Sequence, residues 1–271
     1  MGTKQISRTS EGRLAYVITL FDRQTGELAF LIDAVSVTAM RTAATSAAAI
    51  ARLSADEPVH LAVLGSGLEA AHHVQAIAQV RRVRSLAVYS PTQANRDRFA
   101  KRFRHELGIE VVAAASAREA VEGASVVVAA ARSHGEVPIL SAPWLAQGAV
   151  VVSIGSTTLS QRELDVSVLS AADLIVADVP HELRDDTGDL QAAVGAGINV
   201  DAKLFSLEQL MRGEVPGTLT GPGCLRVFKS VGAALQDIAF AEHLALAAVK
   251  RGVGTRLHAP FHIKQSAGRN S

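Results

Sequence analysis

The sequence of 271 residues predicts an α/β fold in which a doubly wound parallel sheet is covered by helices on both faces. Two observations carry this prediction. Short apolar segments alternate with helical segments over residues 59–177, and such alternation implies right-handed crossovers between parallel strands. In addition, the first apolar run of this region, residues 61–64, leads directly into a glycine turn and then into a helix.

Composition excludes several classes of protein. The chain is 48% hydrophobic and 20% charged, the balance of an ordinary globular protein. Its 27 basic and 26 acidic residues are interspersed, so we expect neither a nucleic acid nor a membrane as partner. No apolar run approaches the ~18 residues of a membrane span, and residues 1–13 lack a signal-peptide core, which predicts a cytoplasmic protein. Cys224 is the only cysteine, which excludes an internal disulfide and a cysteine-based zinc site, and no metal site is predicted.

The glycine turn lies within residues 59–70, VHLAVLGSGLEA. Its spacing, G-x-G-x-x-A, is that of a dinucleotide-binding turn. Gly65 permits the turn, Gly67 lets a pyrophosphate approach the backbone, and Ala70 lets helix and strand pack closely. An ordinary strand-to-helix turn is the alternative, but the second strand expected at residues 85–89 favours the nucleotide site. The residues predicted to bind the phosphates are Gly65, Ser66, Gly67, Leu68 and Glu69.

The N-terminal elements follow from local patterns. Residues 1–13 are polar, and we expect them to be loosely held. The apolar runs 14–20 and 28–32 flank Asp22 and Gly26, which predicts a hairpin. The alanine-rich segment 38–53 predicts a helix that begins near Met40.

The remaining elements alternate as a doubly wound sheet requires. Strands are expected at 109–113, 125–130, 149–154 and 173–177, and helices at 91–107, 117–122, 188–194, 206–212 and 232–249. We expect residues 265–271 to form a frayed tail. Ligands of such sheets bind at the carboxyl ends of the strands. Those ends carry Gly65, Ser90, Ala131, Gly155 and Ser156.

Cofactor choice depends on the end of the second strand. An enzyme that prefers NAD usually places Asp or Glu there, about 20 residues past the glycines. Here the strand is followed by Ser90, Thr92 and Arg96, with no carboxylate before Asp97. These three residues suit a 2′-phosphate, so NADP(H) is favoured and NAD(H) remains possible. In the alternative, Arg96 lies on a solvated helix face and the site accepts either cofactor.

Four segments together resemble the ornithine cyclodeaminase/mu-crystallin family of NAD(P)-dependent proteins. They are LFD with TG within residues 20–26, RTAA at 41–44, GSGLEA at 65–70, and FKSVG with QD within 228–237. The resemblance spans roughly residues 4–250. It implies a Rossmann domain inserted into a smaller α+β domain for substrate binding and dimerisation. We therefore expect a partial substrate domain over 1–56, a Rossmann domain over 57–224, a returning helix over 225–271, and a homodimer.

The resemblance also implies roles for individual residues. Arg41 falls on the family's substrate-carboxylate arginine, Lys4 falls near its substrate lysine, and Thr42 matches a position that contacts cofactor phosphate. A planar guanidinium suits a carboxylate, and an arginine near a helix start opposes the helix dipole, which favours a functional role for Arg41. A solvated Arg41 and a mobile surface Lys4 are the alternatives. Further cofactor contacts are implied at Ala131, Ser133, Gly155, Ser156 and Ser230.

The chain departs from the family pattern in three places. Family members carry a further N-terminal segment, which this chain is expected to lack. Ala131 stands where a threonine is frequent, although Ser133 is retained. Thr157 stands where cyclodeaminases carry an aspartate, and a hydroxyl is a poor general base unless another group activates it.

The sequence therefore predicts an NAD(P)(H)-dependent oxidoreductase that transfers hydride at the α-carbon of a small imino or amino acid. Arg41 and Lys4 would bind the carboxylate, and Thr157 or a water would supply the proton. Two alternatives remain. One is an ammonia-eliminating ornithine cyclodeaminase, disfavoured by Thr157, and the other is a dinucleotide-binding protein without turnover.

Overall fold

The computed structural model describes residues 1–131 and 137–257, which form two compact units. Among the described residues, unit 1 comprises residues 1–41 and 233–257, and unit 2 comprises residues 42–131 and 137–232. The boundaries predicted from the sequence, at 56/57 and 224/225, each lie inside unit 2. Ser133 and the tail at 265–271 lie outside the described residues.

Unit 1 is a small antiparallel sheet packed against a helix. Its strands are β1 (Gly2–Arg8), β2 (Leu14–Phe21) and β3 (Leu28–Asp33), and helix α9 (Ala234–Lys250) belongs to the same unit. Ile18 of β2 packs in one apolar cluster with Ala241 of α9. The expectation of a loose N-terminus was wrong, because residues 2–8 pair with β2 over their whole length. A polar strand of this kind is stabilised by its partner's backbone rather than by an apolar pattern of its own.

Helix α1 (Val35–Leu53) runs across the boundary between the units. It begins at Val35 rather than near Met40, and the carboxylate of Asp33 accepts the N–H of Val35 at 3.2 Å. This contact satisfies one of the N–H groups that a helix start leaves unpaired. Arg41 consequently lies beyond the first turn, where the dipole has little effect, so the dipole argument for its function was wrong.

Unit 2 is the predicted doubly wound sheet. All of its strand pairs are parallel, in the order β10-β9-β11-β8-β7-β4-β5-β6. The strands are β4 (Val59–Leu64), β5 (Val83–Tyr89), β6 (Glu110–Ala113), β7 (Val126–Ala129), β8 (Val150–Ser153), β9 (Leu174–Ala177), β10 (Leu204–Ser206) and β11 (Arg226–Lys229). The order reverses at β4, which lies between β5 and β7. Ligands of open parallel sheets bind at such a switch point.

Helices cover both faces of the sheet, as the fold-class prediction requires. They are α2 (Leu68–Val80), α3 (Gln93–Leu107), α4 (Ala117–Val121), α5 (Val166–Ala171), α6 (Pro180–Asp186), α7 (Gly188–Gly195) and α8 (Leu207–Arg212). Along β7, Val126 and Val128 belong to one apolar cluster with Phe103, whereas Val127 belongs to a second cluster with Leu169. Strands buried on both faces appear as continuous apolar runs, which made them recognisable in the sequence.

The sequence prediction lacked the strands β1, β10 and β11 and the helices α5 and α6. Helices of six or seven residues are unstable alone and depend on tertiary packing, here of buried Leu169 and Leu183. Across residues 1–131 and 137–257, no helix has the length and apolar character to cross a membrane.

Candidate functional site

The glycine turn forms as the sequence predicts. Gly65 follows β4 with φ of +123°, and a Cβ there would lie 2.6 Å from the carbonyl oxygen of Ala130, so only glycine fits. Gly67 immediately precedes α2, and a Cβ built on it would meet no atom within 4 Å. The space before the unpaired N–H groups of the helix start is therefore open. This arrangement fits a pyrophosphate, which requires close approach to the backbone at that point.

Side chains at the end of β5 lie beside this turn. Ser66 Oγ donates to Ser90 Oγ at 2.9 Å, which joins the turn to the neighbouring strand end. Arg96 Nη1 donates to the carbonyl oxygen of Ser90 at 3.0 Å, and its guanidinium lies 6.0 Å from the centroid of the Tyr89 ring. Thr92 is the residue before α3, and its side chain makes no capping hydrogen bond to that helix. The structure thus brings Ser66, Ser90 and Arg96 together at the switch point.

A buried glutamate that the sequence analysis did not single out holds the next strand ends together. Glu163 Oε2 accepts from Ser153 Oγ at 2.8 Å, from the N–H of Ile154 at 3.1 Å and from the N–H of Gly155 at 2.7 Å. Its Oε1 accepts the N–H of Ala131 at 3.0 Å. One carboxylate therefore joins the segments that follow β7 and β8, on which the predicted cofactor contacts Ala131 and Gly155 lie.

The electrostatic setting of Glu163 is unusual because the residue is fully buried. Burial raises its pKa to about 7, while the positive charge of Lys229 and the hydrogen bond from Gly155 act in the opposite direction. Lys229 Nζ lies 3.0 Å from Asp189 Oδ2 and donates to the carbonyl oxygen of Ser156 at 3.2 Å. Lys229 was not singled out in the sequence analysis. Its place directly after the apolar pair Val227 and Phe228 is the sequence signal that could have pointed to it.

Ser230 is fixed by an aspartate at the neighbouring strand end. Its Oγ donates to Asp178 Oδ2 at 2.6 Å. The N–H groups of Val231 and Gly232 also donate to the Asp178 carboxylate, at 3.0 and 2.9 Å. Asp178, which follows β9, thus determines how the chain leaves β11.

Thr157 is exposed beyond the end of β8. Its N–H and Oγ1 lie 3.1 and 3.4 Å from Oε1 of Gln161. Because an amide oxygen does not titrate, this contact does not activate the hydroxyl as a general base.

A histidine joins α1 to the helix that follows the glycine turn. His73 Nε2 lies 3.0 Å from Ser46 Oγ, and its Nδ1 lies 2.7 Å from the carbonyl oxygen of Glu69. Burial lowers the pKa of His73 to about 4. The ring is therefore neutral at pH 7 and donates from Nδ1 to Glu69. Thr42, also on α1, is buried.

Unit 1 contains the two cations predicted to bind substrate, and they share one carboxylate. Arg41 Nε donates to Asp237 Oδ1 at 2.9 Å, and Lys4 Nζ donates to Asp237 Oδ2 at 3.0 Å. Arg41 Nη1 also donates to Gln236 Oε1 at 3.1 Å. Side-chain exposure is 10% for Lys4, 10% for Arg41 and 7% for Asp237. Arg41 is thus not a solvated arginine, and Lys4 is not a mobile surface lysine.

These features agree with comparisons to known proteins. A sequence profile of the ornithine cyclodeaminase/mu-crystallin family matches residues 3–250. The chain belongs to this family. It is 30% identical over 242 residues to a Delta(1)-pyrroline-2-carboxylate reductase of Bacillus cereus, covering 89% of this chain and 73% of the relative. It is 29% identical over 227 residues to the ketimine reductase mu-crystallin of Mus musculus, covering 83% of this chain and 67% of that protein.

Comparison with a solved structure extends the similarity from the sequence to the fold. Delta(1)-pyrroline-2-carboxylate reductase of Thermococcus litoralis, solved in complex with NADH and L-proline, superimposes with a TM-score of 0.87 at 27% identity. The alignment covers 94% of this chain and 80% of that protein. The predicted family and the predicted Rossmann-type fold are therefore both confirmed.

Proposed function

We propose that this chain is an NAD(P)H-dependent oxidoreductase that reduces a small cyclic α-imino acid, with pyrroline-2-carboxylate as the representative substrate. The observation that carries the proposal is the open glycine turn at the switch point of the unit 2 sheet, in a chain that belongs to this family. Reductases of this substrate class are among the similar proteins of known activity.

The substrate carboxylate is assigned to Arg41 and Lys4 of unit 1. Two nearly buried cations, both hydrogen-bonded to Asp237, form a rigid positive site, and a guanidinium recognises a carboxylate with defined geometry. Binding the carboxylate at fixed atoms orients the α-carbon, and orientation of this kind contributes a large share of catalysis in two-reactant steps.

In the cofactor-binding part, the N–H groups at the start of α2 would hold the pyrophosphate, and the segments that carry Ala131, Gly155 and Ser156 would line the nicotinamide end. Ser230, fixed by Asp178, and Thr42 complete the set of proposed contacts. When bound, the reduced cofactor supplies the hydride, and the chain supplies position and charge. The imine nitrogen gains its proton from a water, since the contact of Thr157 with Gln161 does not activate its hydroxyl.

NADPH is the preferred cofactor in this proposal. Ser90 and Arg96 lie together at the end of β5, and the segment between β5 and α3 contains no carboxylate. A 2′-phosphate can accept from hydroxyls, from the first N–H groups of α3 and from a guanidinium.

The test is to mix purified protein with NADPH or NADH and a panel of cyclic imines and keto acids with amines, and to follow the absorbance of the reduced nicotinamide. In a separate assay the protein is mixed with ornithine and the oxidised cofactor, and released ammonia is measured. We expect turnover with pyrroline-2-carboxylate and NADPH. Ammonia release from ornithine would instead support a cyclodeaminase. Cofactor binding without any turnover would support a binding protein and contradict the proposal.

We further propose that the protein acts as a cytoplasmic homodimer. Membership of the family carries this part of the proposal, and unit 1 exposes the apolar side chains of Leu31, Leu246 and Val249. Light scattering at micromolar concentration gives the mass of the assembly, and a monomer would contradict this part of the proposal. Cell fractionation tests the location.

A further inference from the structure

Asp237 lies close to the N-terminus of a helix. It is the fourth residue of α9, and a carboxylate in the first turn of a helix is stabilised by the positive end of the helix dipole. Its two partners come from distant parts of the sequence, Lys4 from β1 and Arg41 from α1. Ion pairs that exclude most solvent are screened little, so the carboxylate acts strongly on both cations.

The two oxygens of Asp237 are divided between the two cations. Oδ1 accepts from Arg41 Nε at 2.9 Å and Oδ2 accepts from Lys4 Nζ at 3.0 Å. A single planar group therefore sets the separation of the two cations and also reduces their mutual repulsion. Without it, two positive charges would face each other in a nearly buried place, which is costly.

The charges of the three groups sum to +1, because two cations surround one anion. A substrate with a single carboxylate neutralises this sum, whereas a dicarboxylate leaves a negative excess. An acid placed between two substrate-binding cations thus limits the charge that the site accepts.

We propose that Asp237 is a positioning and specificity-determining residue, which holds Arg41 and Lys4 in place and restricts the site to substrates with one carboxylate. This inference rests on the proposed function for the identity of the site. A role limited to joining α9, β1 and α1 would stabilise the fold but would not select among ligands by charge.

The experiment compares the binding of two planar, unreactive analogues, pyrrole-2-carboxylate and pyrrole-2,5-dicarboxylate, measured by calorimetry with NADP⁺ present. Four proteins form a series in the charge of the cluster: Lys4→Met (0), the unmodified protein (+1), Lys4→Met with Asp237→Asn (+1), and Asp237→Asn (+2). Glu242→Gln is the matched control, because Glu242 is an exposed carboxylate on the same helix.

We expect the ratio of the two dissociation constants to follow the charge of the cluster. Asp237→Asn should shift the ratio by at least about tenfold toward the dicarboxylate, and Lys4→Met should shift it in the opposite direction. The double variant should return the ratio to within about threefold of the unmodified protein, although both affinities fall. Glu242→Gln should leave the ratio unchanged.

The test remains decisive if Asp237→Asn does not fold. The double variant removes both charges of the Lys4–Asp237 pair, and Lys4→Met leaves Asp237 in place, so neither leaves two cations without their anion. A ratio that stays constant across the folded variants would overturn the inference, and so would a wild-type protein that binds neither analogue. Calorimetry measures binding and does not depend on turnover. If the ratio of the two dissociation constants follows the charge of the cluster but no imine is reduced, the proposed function is contradicted and the inference about Asp237 is not.

Discussion

The carboxylate of Glu163 accepts the backbone N–H of Ala131 at 3.0 Å and thereby joins the segments that follow two adjacent strands of the sheet. Its other oxygen accepts from Ser153 and from the N–H of Gly155. We predict that Glu163→Gln destabilises the protein by about 1–3 kcal/mol, because the amide directs its own N–H toward groups that are themselves donors. Denaturant unfolding measures the change.

The control for this variant is Glu122→Gln, which alters an exposed glutamate of the same unit. It should change stability by less than about 0.5 kcal/mol. The folded Glu163→Gln protein should also bind NADPH more weakly. Unchanged affinity would show that cofactor binding does not depend on the hydrogen bonds that Glu163 makes to the two strand ends.

The two glycines of the turn should respond differently to substitution. Gly67→Val places its side chain where no atom lies within 4 Å, so we predict intact stability and weaker binding of both NADH and NADPH. Gly65→Ala should instead lower the melting temperature, because its Cβ meets the carbonyl oxygen of Ala130 and its φ is positive. Calorimetry and thermal melting separate the two effects. Equal cofactor affinity in Gly67→Val would remove this turn from the cofactor site.

The cofactor preference should depend on Arg96. We predict that the protein prefers NADPH and that Arg96→Ala narrows the preference by weakening NADPH selectively, since a guanidinium pairs with a 2′-phosphate but not with a hydroxyl. Arg98→Ala, an exposed position on the same helix, should leave both dissociation constants unchanged. A clear preference of the unmodified protein for NADH would show that the interpretation of residues 90–96 was wrong.

Arg41→Lys tests the substrate-binding role of the guanidinium. Lysine keeps the charge but loses the planar group that contacts both Asp237 and Gln236. We predict a raised KM and a kcat/KM lower by an amount equivalent to about 2–4 kcal/mol. Arg23→Lys, at an exposed site in the same unit, is the control. An intact variant with normal kcat/KM would exclude Arg41 as the carboxylate ligand.

The stability of unit 2 should depend on pH through His73. Burial lowers the pKa of His73 to about 4, whereas the unfolded value is near 6.5, so the unfolded chain binds the proton more readily. Stability from this residue is complete above about pH 6.5 and falls as the pH drops toward 4, by on the order of 3 kcal/mol in total. Glu163 has the opposite effect on the pH dependence of stability. Because burial raises its pKa from 4.5 to about 7, its contribution to stability is lost as the pH rises through this range.

Variants must therefore be compared across the same pH range. Melting temperatures of His73→Gln should decline less between pH 6.5 and 4 than those of the unmodified protein. His105→Gln, exposed in the same unit, should follow the unmodified protein. Identical pH profiles for all three proteins would show that His73 does not titrate in this way.

The sequence by itself determined the parts of the protein that depend on short-range patterns. The strand, glycine turn and helix of residues 59–80 could be recognised from local sequence. The spacing of apolar residues indicates the strand and the helix, and the backbone freedom of glycine indicates the turn. Buried parallel strands were recognisable for the same reason. The assignment of Arg41 and Lys4 came from resemblance to a family, and their roles stay predictions.

The tertiary structure decided everything that depends on contacts between distant segments. Strand β1 carries no apolar pattern and exists because β2 supplies its backbone partners. Asp237 meets Lys4 across 233 positions of sequence, and Glu163 meets Ala131 across 32. Local pattern cannot reveal such pairs, because a buried carboxylate is stabilised by whichever donors the folded chain brings to it, and those donors are defined only once the sheet and its connections have formed.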